Sequence, residues 1–363
     1  FALDAETGER RWHYQMIHHD IWNYDTPTAP VLMNVTVDGR EVKGLFQATK
    51  QSFLYAINRE TGEPIWPIEE RPVPASNVPG EKLSLTQPFP TRPAPYDLQG
   101  RTEDHLIDYT PEIKEMARRV AEENNLFNGL FDPPTTIDDP AGPAWNCPGG
   151  GGGTNITGPA VGDPVNGIVF VSSQSNCFRL QIMPAVNSPL DELEQSGTTH
   201  SDYAAVSTTV RGSIEQFTID GLPIWKGPDG RIVAYDLNRG EIKWIIPHGD
   251  AAQDDQDAIR NHPLLQGVEI DESVYNRGRS GQATLVASPT LLFATGVTAD
   301  NMSSLFAIDK ETGERVGQIE LPGLPRYGMS SWEHDGHQVI LVQLSGGLAA
   351  FGMPAAIPDA GGH

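Results

Sequence analysis

Residues 2–12 read ALDAETGERRW, and the phrase returns as AINRETGEPIW at 56–66 and AYDLNRGEIKW at 234–244. A fourth copy, AIDKETGERVG at 307–317, ends in Gly317 where the others end in tryptophan. The shared template is A-x-[DN]-x-x-x-G-x-x-x-W, and each part has a physical reading. An apolar strand such as FLYAI or IVAYD runs into an Asp or Asn. A tight turn follows, in which glycine supplies the positive φ that other residues resist, and the chain returns as the next strand carrying tryptophan inward. Repetition at a period of tens of residues marks solenoids and propellers. Successive copies start 54, 178 and 73 residues apart, so long insertions or degenerate copies are expected between them. One degenerate hairpin is legible in DPVNGIVFVSSQ, residues 163–174. Strand hairpins on turn-borne repeats favour an all-β β-propeller, which leaves only short, protected sheet edges.

Composition agrees with many short strands. The chain has 363 residues, with 37 Gly and 30 Pro as turn punctuation and a hydrophobic content of 38%, which is low for a helix-rich enzyme. This length exceeds a usual single core and predicts two domains or one large closed architecture. No apolar run approaches the roughly 18–20 residues of a membrane helix, and no signal-peptide pattern opens the chain. Phe1 falls inside a repeat unit, directly before its Ala2, so an N-terminal part of the propeller is expected upstream. Asp and Glu outnumber Lys and Arg by 48 to 25, for a net charge of −23, and no basic cluster stands out. A nucleic-acid partner is therefore not expected, and the acidity reads as solubility. Cys147 and Cys177 are too few for a tetrahedral metal site. They form either a disulfide in an oxidising compartment or two buried thiols.

Residues 67–145 interrupt the repeats. They are proline-rich at first and then contain one helix, within TPEIKEMARRVAEENNLF, with Pro111 at its start and Ile113, Met116, Ala117, Val120 and Ala121 on one stripe. This is read as an excursion on one propeller face. The five glycines 149–153 lack a following GK[ST] and a helix pattern, so they point to close backbone approach rather than a phosphate cradle.

The densest polar chemistry is HHDIWNYD, residues 18–25. On a strand, His18 and His19 face opposite sides and cannot chelate one metal. Trp22 reads as packing. If residues 22–25 are extended, Asn23 and Asp25 point the same way and Asp20 lies opposite.

Together the tryptophan repeats, HHDIWNYD and QATKQSF (47–53) resemble the quinoprotein dehydrogenases, eight-bladed propellers that use pyrroloquinoline quinone (PQQ) and a divalent cation, Ca²⁺ or Mg²⁺. The likeness is closest to the membrane-bound glucose dehydrogenase-like branch. It covers most of the chain, including a final blade over 291–351, and implies that residues 1–363 are the later blades of a longer propeller. In that family the residue after the tryptophan of the HHD-x-W segment is usually the aspartate that takes the alcohol proton; here it is Asn23. Lys50 matches the basic residue that hydrogen-bonds the quinone oxygens. Asn155, in GGTNIT, resembles an asparagine near the cofactor. The tryptophan that many members carry in the late glycine-rich segment is missing from GRSGQATLV, residues 278–286.

The chemistry implied is that an ortho-quinone accepts hydride from an alcohol or sugar, a cation polarises it, a carboxylate removes the hydroxyl proton, and a lysine stabilises charge on the quinone oxygens. Asn23 cannot be the base, but its carbonyl oxygen can hold a hard cation. Asp25 is then the first candidate for the missing carboxylate and Asp20 the second. The resemblance also implies a periplasmic location, soluble or anchored to the inner membrane through a segment upstream. It implies ubiquinone or a cytochrome c as electron acceptor; no C-x-x-C-H haem motif is present. The rival reading is a non-catalytic propeller: an outer-membrane assembly scaffold, a sensor ectodomain or a carbohydrate-binding module. Such a protein would keep the tryptophans but has no reason to keep HHDIW and Lys50; Asn23 is the one point in its favour.

Overall fold

The computed structural model describes residues 1–156, 158, 160–184, 203–206, 217–279, 281–335 and 337–352. In all four repeat copies the template folds as one tight turn. Gly8, Gly62, Gly240 and Gly313 take φ of 74°, 79°, 69° and 77°. Their N–H groups donate to the carbonyls of Asp4, Asn58, Asp236 and Asp309 at 2.8–2.9 Å. The side chains of those same four residues accept the N–H two residues on, at 2.8–3.0 Å. The template thus needs Asp or Asn for its own backbone-capping oxygen and glycine for the left-handed exit.

These turns close successive antiparallel sheets. Ala2–Leu3 pairs with Arg10–Trp12. Val31–Val37, Arg40–Ala48 and Leu54–Asn58 make the next blade, with Pro64 bridging back to Ile57. Val161–Asp163, Ile168–Gln174, Gly230–Asp236 and Glu241–Pro247 make a four-stranded third blade. Leu285–Ala287, Leu291–Val297, Ser303–Asp309 and Arg315–Glu320 make a fourth. Pro325–His334, His337–Leu344 and Gly347–Gly352 follow. The first strands of the last four sheets touch one another in turn, as strands around a propeller axis do.

The tryptophans join blade to blade. A Cβ on Gly62 would stand 2.7 Å from the Trp12 ring, one on Gly240 2.8 Å from Trp66, and one on Gly313 2.9 Å from Trp244. Each ring therefore lies on the turn glycine of the next copy, including across the 178-residue gap between the second and third. The indole N–H groups of Trp12 and Trp244 also donate to the carbonyls of Arg59 and Lys310, at 2.9 and 3.0 Å. Where the fourth copy has Gly317, the seam stays open as an apolar groove of about 440 Å³ lined by Phe293, Leu305, Ile319, Ile340 and Phe351.

The excursion is larger than residues 67–145. Its core takes Leu106, Ile113, Ala117 and Trp145 from that stretch, Ile224 and Trp225 from the segment just before Gly230, and Ile259 and Leu265 from another. Helix α1, Pro111–Glu123, is the expected helix: Thr110 caps it by accepting from Ile113 N–H, and Ile113, Ala117 and Ala121 are buried. A second helix, α2, spans Gln253–Arg260, so the expected single helix is one of two among the described residues; its one buried residue, Ile259, gives no periodic signal. Cys147 and Cys177 form a disulfide within this subassembly. Buried Asp97 ties it to the third blade, accepting from Ser173 and Ser175 and pairing with Arg231 at 3.0 Å. No helix of the described residues is long and apolar enough to cross a membrane.

Candidate active site

Residues 18–25 do not form the expected strand: none is assigned between Trp12 and Val31. The chain instead turns through two left-handed residues, His19 at φ 46° and Asn23 at φ 63°. The physical reason is Asp20, whose carboxylate accepts the backbone N–H of Trp22 at 2.9 Å and of Tyr24 at 2.7 Å. Such an Asx-type turn competes directly with a strand ladder. Alternation survives on the different backbone: Trp22 and Tyr24 are buried, while Asn23 and Asp25 are exposed. Trp22 is packing, as expected. Its indole N–H donates to Asp132 O at 2.9 Å and its ring meets Phe131 edge-on at 5.1 Å.

Asn23 and Asp25 converge on Lys50. Lys50 Nζ donates to Asn23 Oδ1 at 3.1 Å and pairs with the Asp25 carboxylate. Lys50 is not on a strand edge but in the turn between Arg40–Ala48 and Leu54–Asn58. It is only 6% exposed, whereas the Asp25 side chain is 53% exposed. The ammonium thus lies inside and the carboxylate at the surface. Tyr96, from the excursion, holds the turn by accepting Thr49 N–H at 2.9 Å. By strand direction this turn lies at the opposite end of its blade from the repeat turns, on the face that carries the excursion.

The glycine run approaches both partners closely. A Cβ on Gly150 would stand 2.8 Å from Asn23 Nδ2, and one on Gly153 2.3 Å from Lys50 O. Asn155 sits one step away. Its N–H donates to Gln282 Oε1 at 3.1 Å, its own Oδ1 accepts from Ile156 N–H at 2.8 Å, and Gln282 Nε2 returns to Gly153 O at 2.6 Å. Gln282 lies in the late glycine-rich segment, so that segment reaches the site by a side chain that the sequence reading did not single out.

His18 and His19 diverge and bind different glutamates of the excursion, Glu70 at 2.9 Å and Glu81 at 3.0 Å. Burial works against the Glu70 charge, but hydrogen bonds from His18 and Thr86 hold its pKa below the ordinary range. Fully buried Gln87 clamps the His18 backbone in both directions, at 2.8 and 2.7 Å. Glu70, Glu81 and Gln87 carry no local signal of this role, because each is set by packing of a distant segment.

Asp20 keeps solvent exposure as a residue, yet desolvation of its carboxylate, aided by the nearby Asp25 charge, outweighs its two backbone bonds and Lys50 and raises its pKa. Among the described residues no three His, Cys, Asp or Glu side chains gather as a metal cluster. The hard oxygens available are those of Asn23 and Asp25, a neutral and an anionic donor that suit Ca²⁺ or Mg²⁺. A buried ammonium beside them, under a run of glycines without side chains, fits a planar quinone with polar oxygens.

The family model described as PQQ: Glucose/ethanol/alcohol dehydrogenase, beta-propeller domain, matches residues 1–340. The chain belongs to this PQQ dehydrogenase propeller family. Among its relatives, the glycerol dehydrogenase large subunit of Gluconobacter oxydans (strain 621H) is 29% identical over 95% of this chain and 46% of its own length. The quinoprotein glucose dehydrogenase of Escherichia coli (strain K12) is 26% identical over 97% and 42%. The chain thus spans a little under half the length of these curated relatives. The quinohemoprotein alcohol dehydrogenase of Comamonas testosteroni shares the fold with a TM-score of 0.53 at 17% identity, over 95% of this chain and 38% of that one. A europium-containing methanol dehydrogenase does so with a TM-score of 0.51 at 17% identity, over 94% and 43%. The all-β propeller expected from the repeats, and the quinoprotein family expected from the resemblance, are both borne out.

Proposed function

We infer that the complete protein is a PQQ-dependent dehydrogenase that oxidises an alcohol, polyol or sugar. It would work in the periplasm, soluble or membrane-anchored, and pass electrons to ubiquinone or a cytochrome c. The family and the relatives named for glycerol and glucose support the substrate class. The Cys147–Cys177 disulfide suits an oxidising compartment. The observation that carries the reading is the buried Lys50 ammonium meeting both Asn23 and Asp25.

When bound, PQQ supplies the two-electron acceptor and a divalent cation the Lewis acid. Lys50, itself buried, would donate to the quinone oxygens and hold negative charge there. Asn23 Oδ1 and the Asp25 carboxylate would offer oxygens to the cation, and Asn155 and Gln282 would brace the glycine run over it. Asp25 would take the hydroxyl proton, because its carboxylate is accessible and sits beside the Lys50 ammonium. Asp20, with both oxygens bound to backbone N–H groups, is the weaker candidate. Asn23 in the usual position of the base is what favours a non-catalytic propeller instead.

Reconstitution of the full-length protein with PQQ and Ca²⁺, followed by dye reduction over alcohols, polyols and sugars, tests the reading. Absence of both a bound-quinone spectrum and dye reduction would sink it in favour of the scaffold. Asp25→Ala is expected to lower turnover by about 10²–10⁴-fold. If Asp25→Ala turns over fully while Asp20→Ala is dead, the base is Asp20.

A further inference from the structure

We propose that Asp20 is a positioning residue that fixes the left-handed backbone of Asn23, and through it the joint approach of Asn23 and Asp25 to Lys50. The proposal rests on the dehydrogenase reading for its consequence, but its geometry stands in the chain alone.

The residue between two clamped peptides is Asn23. Asp20 Oδ1 holds the N–H before it, on Trp22, and Oδ2 the N–H after it, on Tyr24, at 2.9 and 2.7 Å. Both flanking rings are buried, at 1% and 0% exposure, and anchored at their far ends, Trp22 Nε1 on Asp132 O at 2.9 Å and Tyr24 OH on Leu130 O at 3.2 Å. With the flanks pinned, Asn23 takes φ 63°, a left-handed conformation that asparagine tolerates better than most residues and that the two clamped peptides hold in place. That same turn brings Asn23 Oδ1 to 3.1 Å from Lys50 Nζ and sets Asp25 beside the same ammonium. A carboxylate with both oxygens spent on the backbone is arranged to hold the loop rather than to take a substrate proton. An aspartate suits the task because it offers an acceptor to each N–H, whereas asparagine can accept at one and must turn its NH₂ toward the other.

The test compares Asp20→Asn with wild type in the full-length protein, with two readouts. The first is hydrogen–deuterium exchange of the cofactor-free protein. Positioning predicts at least tenfold faster exchange in a peptide covering residues 20–25, with the thermal midpoint shifted by no more than a few degrees. The second is titration of Ca²⁺ into apoprotein with PQQ, followed by quinone absorbance. Positioning predicts at least a tenfold rise in half-saturating Ca²⁺, an effect that vanishes in an Asn23→Gly, Asp25→Asn background because Asp20 acts through that pair. Turnover at saturating Ca²⁺ should fall by about tenfold.

Unchanged exchange overturns the proposal. So does a thousandfold loss of turnover with unchanged Ca²⁺ dependence, which would make Asp20 the base. Independent, multiplying effects of Asp20→Asn and the Asn23→Gly, Asp25→Asn background would reduce Asp20 to general stability and also overturn it. If Asp20→Asn fails to fold, Asp20→Ser, which keeps one acceptor, carries the same comparison. Wild-type protein that binds no PQQ would defeat the dehydrogenase reading, and the exchange readout would still decide the clamp.

Discussion

Lys50 Nζ donates to Asn23 Oδ1 at 3.1 Å while pairing with Asp25, so one buried cation gathers an amide and an acid from a separate segment. Lys50→Met keeps the aliphatic stem and removes the charge. It is expected to weaken PQQ binding and to lower turnover by about 10²–10³-fold, the usual loss when one charge-stabilising donor is removed. Lys50→Arg keeps the charge but presents a planar fork, so it should fall between the two. Fluorescence titration with PQQ and dye reduction measure both. Wild-type affinity and turnover in Lys50→Met would leave Lys50 as a structural partner of Asp25.

The open seam at Gly317 makes the tryptophan repeat testable. A Cβ at Gly317 meets nothing closer than Ala307 Cβ at 3.8 Å, and the groove beside it is apolar. Gly317→Trp should fill it and stabilise the protein by about 1–2 kcal/mol, as cavity-filling substitutions commonly do. Trp244→Ala, at a seam where the ring is in place, should cost about 3 kcal/mol. Denaturant titrations of the three proteins compare them. Destabilisation by Gly317→Trp would mean that the groove is not shaped by the missing indole.

The repeat was legible because its chemistry is local: Asp4 and Gly8 build their turn within five residues. The destination of each tryptophan was not, since Gly62, Gly240 and Gly313 lie a whole blade further on. Residues 18–25 read as a strand because the burial of Trp22 and Tyr24 does alternate with the exposure of Asn23 and Asp25. What alternation cannot reveal is a side chain, that of Asp20, competing for the backbone N–H groups. Asn23 and Lys50 are legible from the family likeness and Asp25 from its parity with Asn23, whereas Gln87, Tyr96 and Gln282 reach the site only through the packing of the excursion and a later blade.

A buried ion pair joins the third and fourth blades. Lys310 Nζ lies 2.5 Å from Asp163 Oδ2, and both side chains are 5% exposed. Burial works to raise the Asp163 pKa, but the Lys310 hydrogen bond and charge, with Asn166, hold it below the ordinary carboxylate value. Lys310→Met strands the carboxylate and should cost about 3–5 kcal/mol at neutral pH. Because the folded pKa is depressed, this stability is present above about pH 4 and is lost as pH falls through the lower folded value. Denaturant midpoints at pH 7 and pH 3 should therefore differ more in wild type than in Lys310→Met. Equal differences would mean that the pair contributes nothing to the seam.

His248 gives the opposite seam of chemistry, a base kept neutral. It is 6% exposed, and one ring nitrogen lies 3.1 Å from Thr295 O in the fourth blade. Burial lowers its pKa below the ordinary 6.5, against the opposing pull of carbonyls at Thr295, Gly281 and Arg279. The unfolded chain therefore takes up the proton first as pH falls. Stability is full above about pH 6.5 and declines as pH drops toward the lower folded value. His248→Gln still offers an N–H to Thr295 O but cannot titrate. Its thermal midpoint should fall less than that of wild type between pH 7.5 and pH 5.5. The flattening should be partial, because His105 is also held low by burial and by the Arg101 charge, and adds a slope of the same sign. His105→Gln combined with His248→Gln should remove more of the slope than either alone, whereas identical slopes in wild type and His248→Gln would show that His248 charges within the fold without cost.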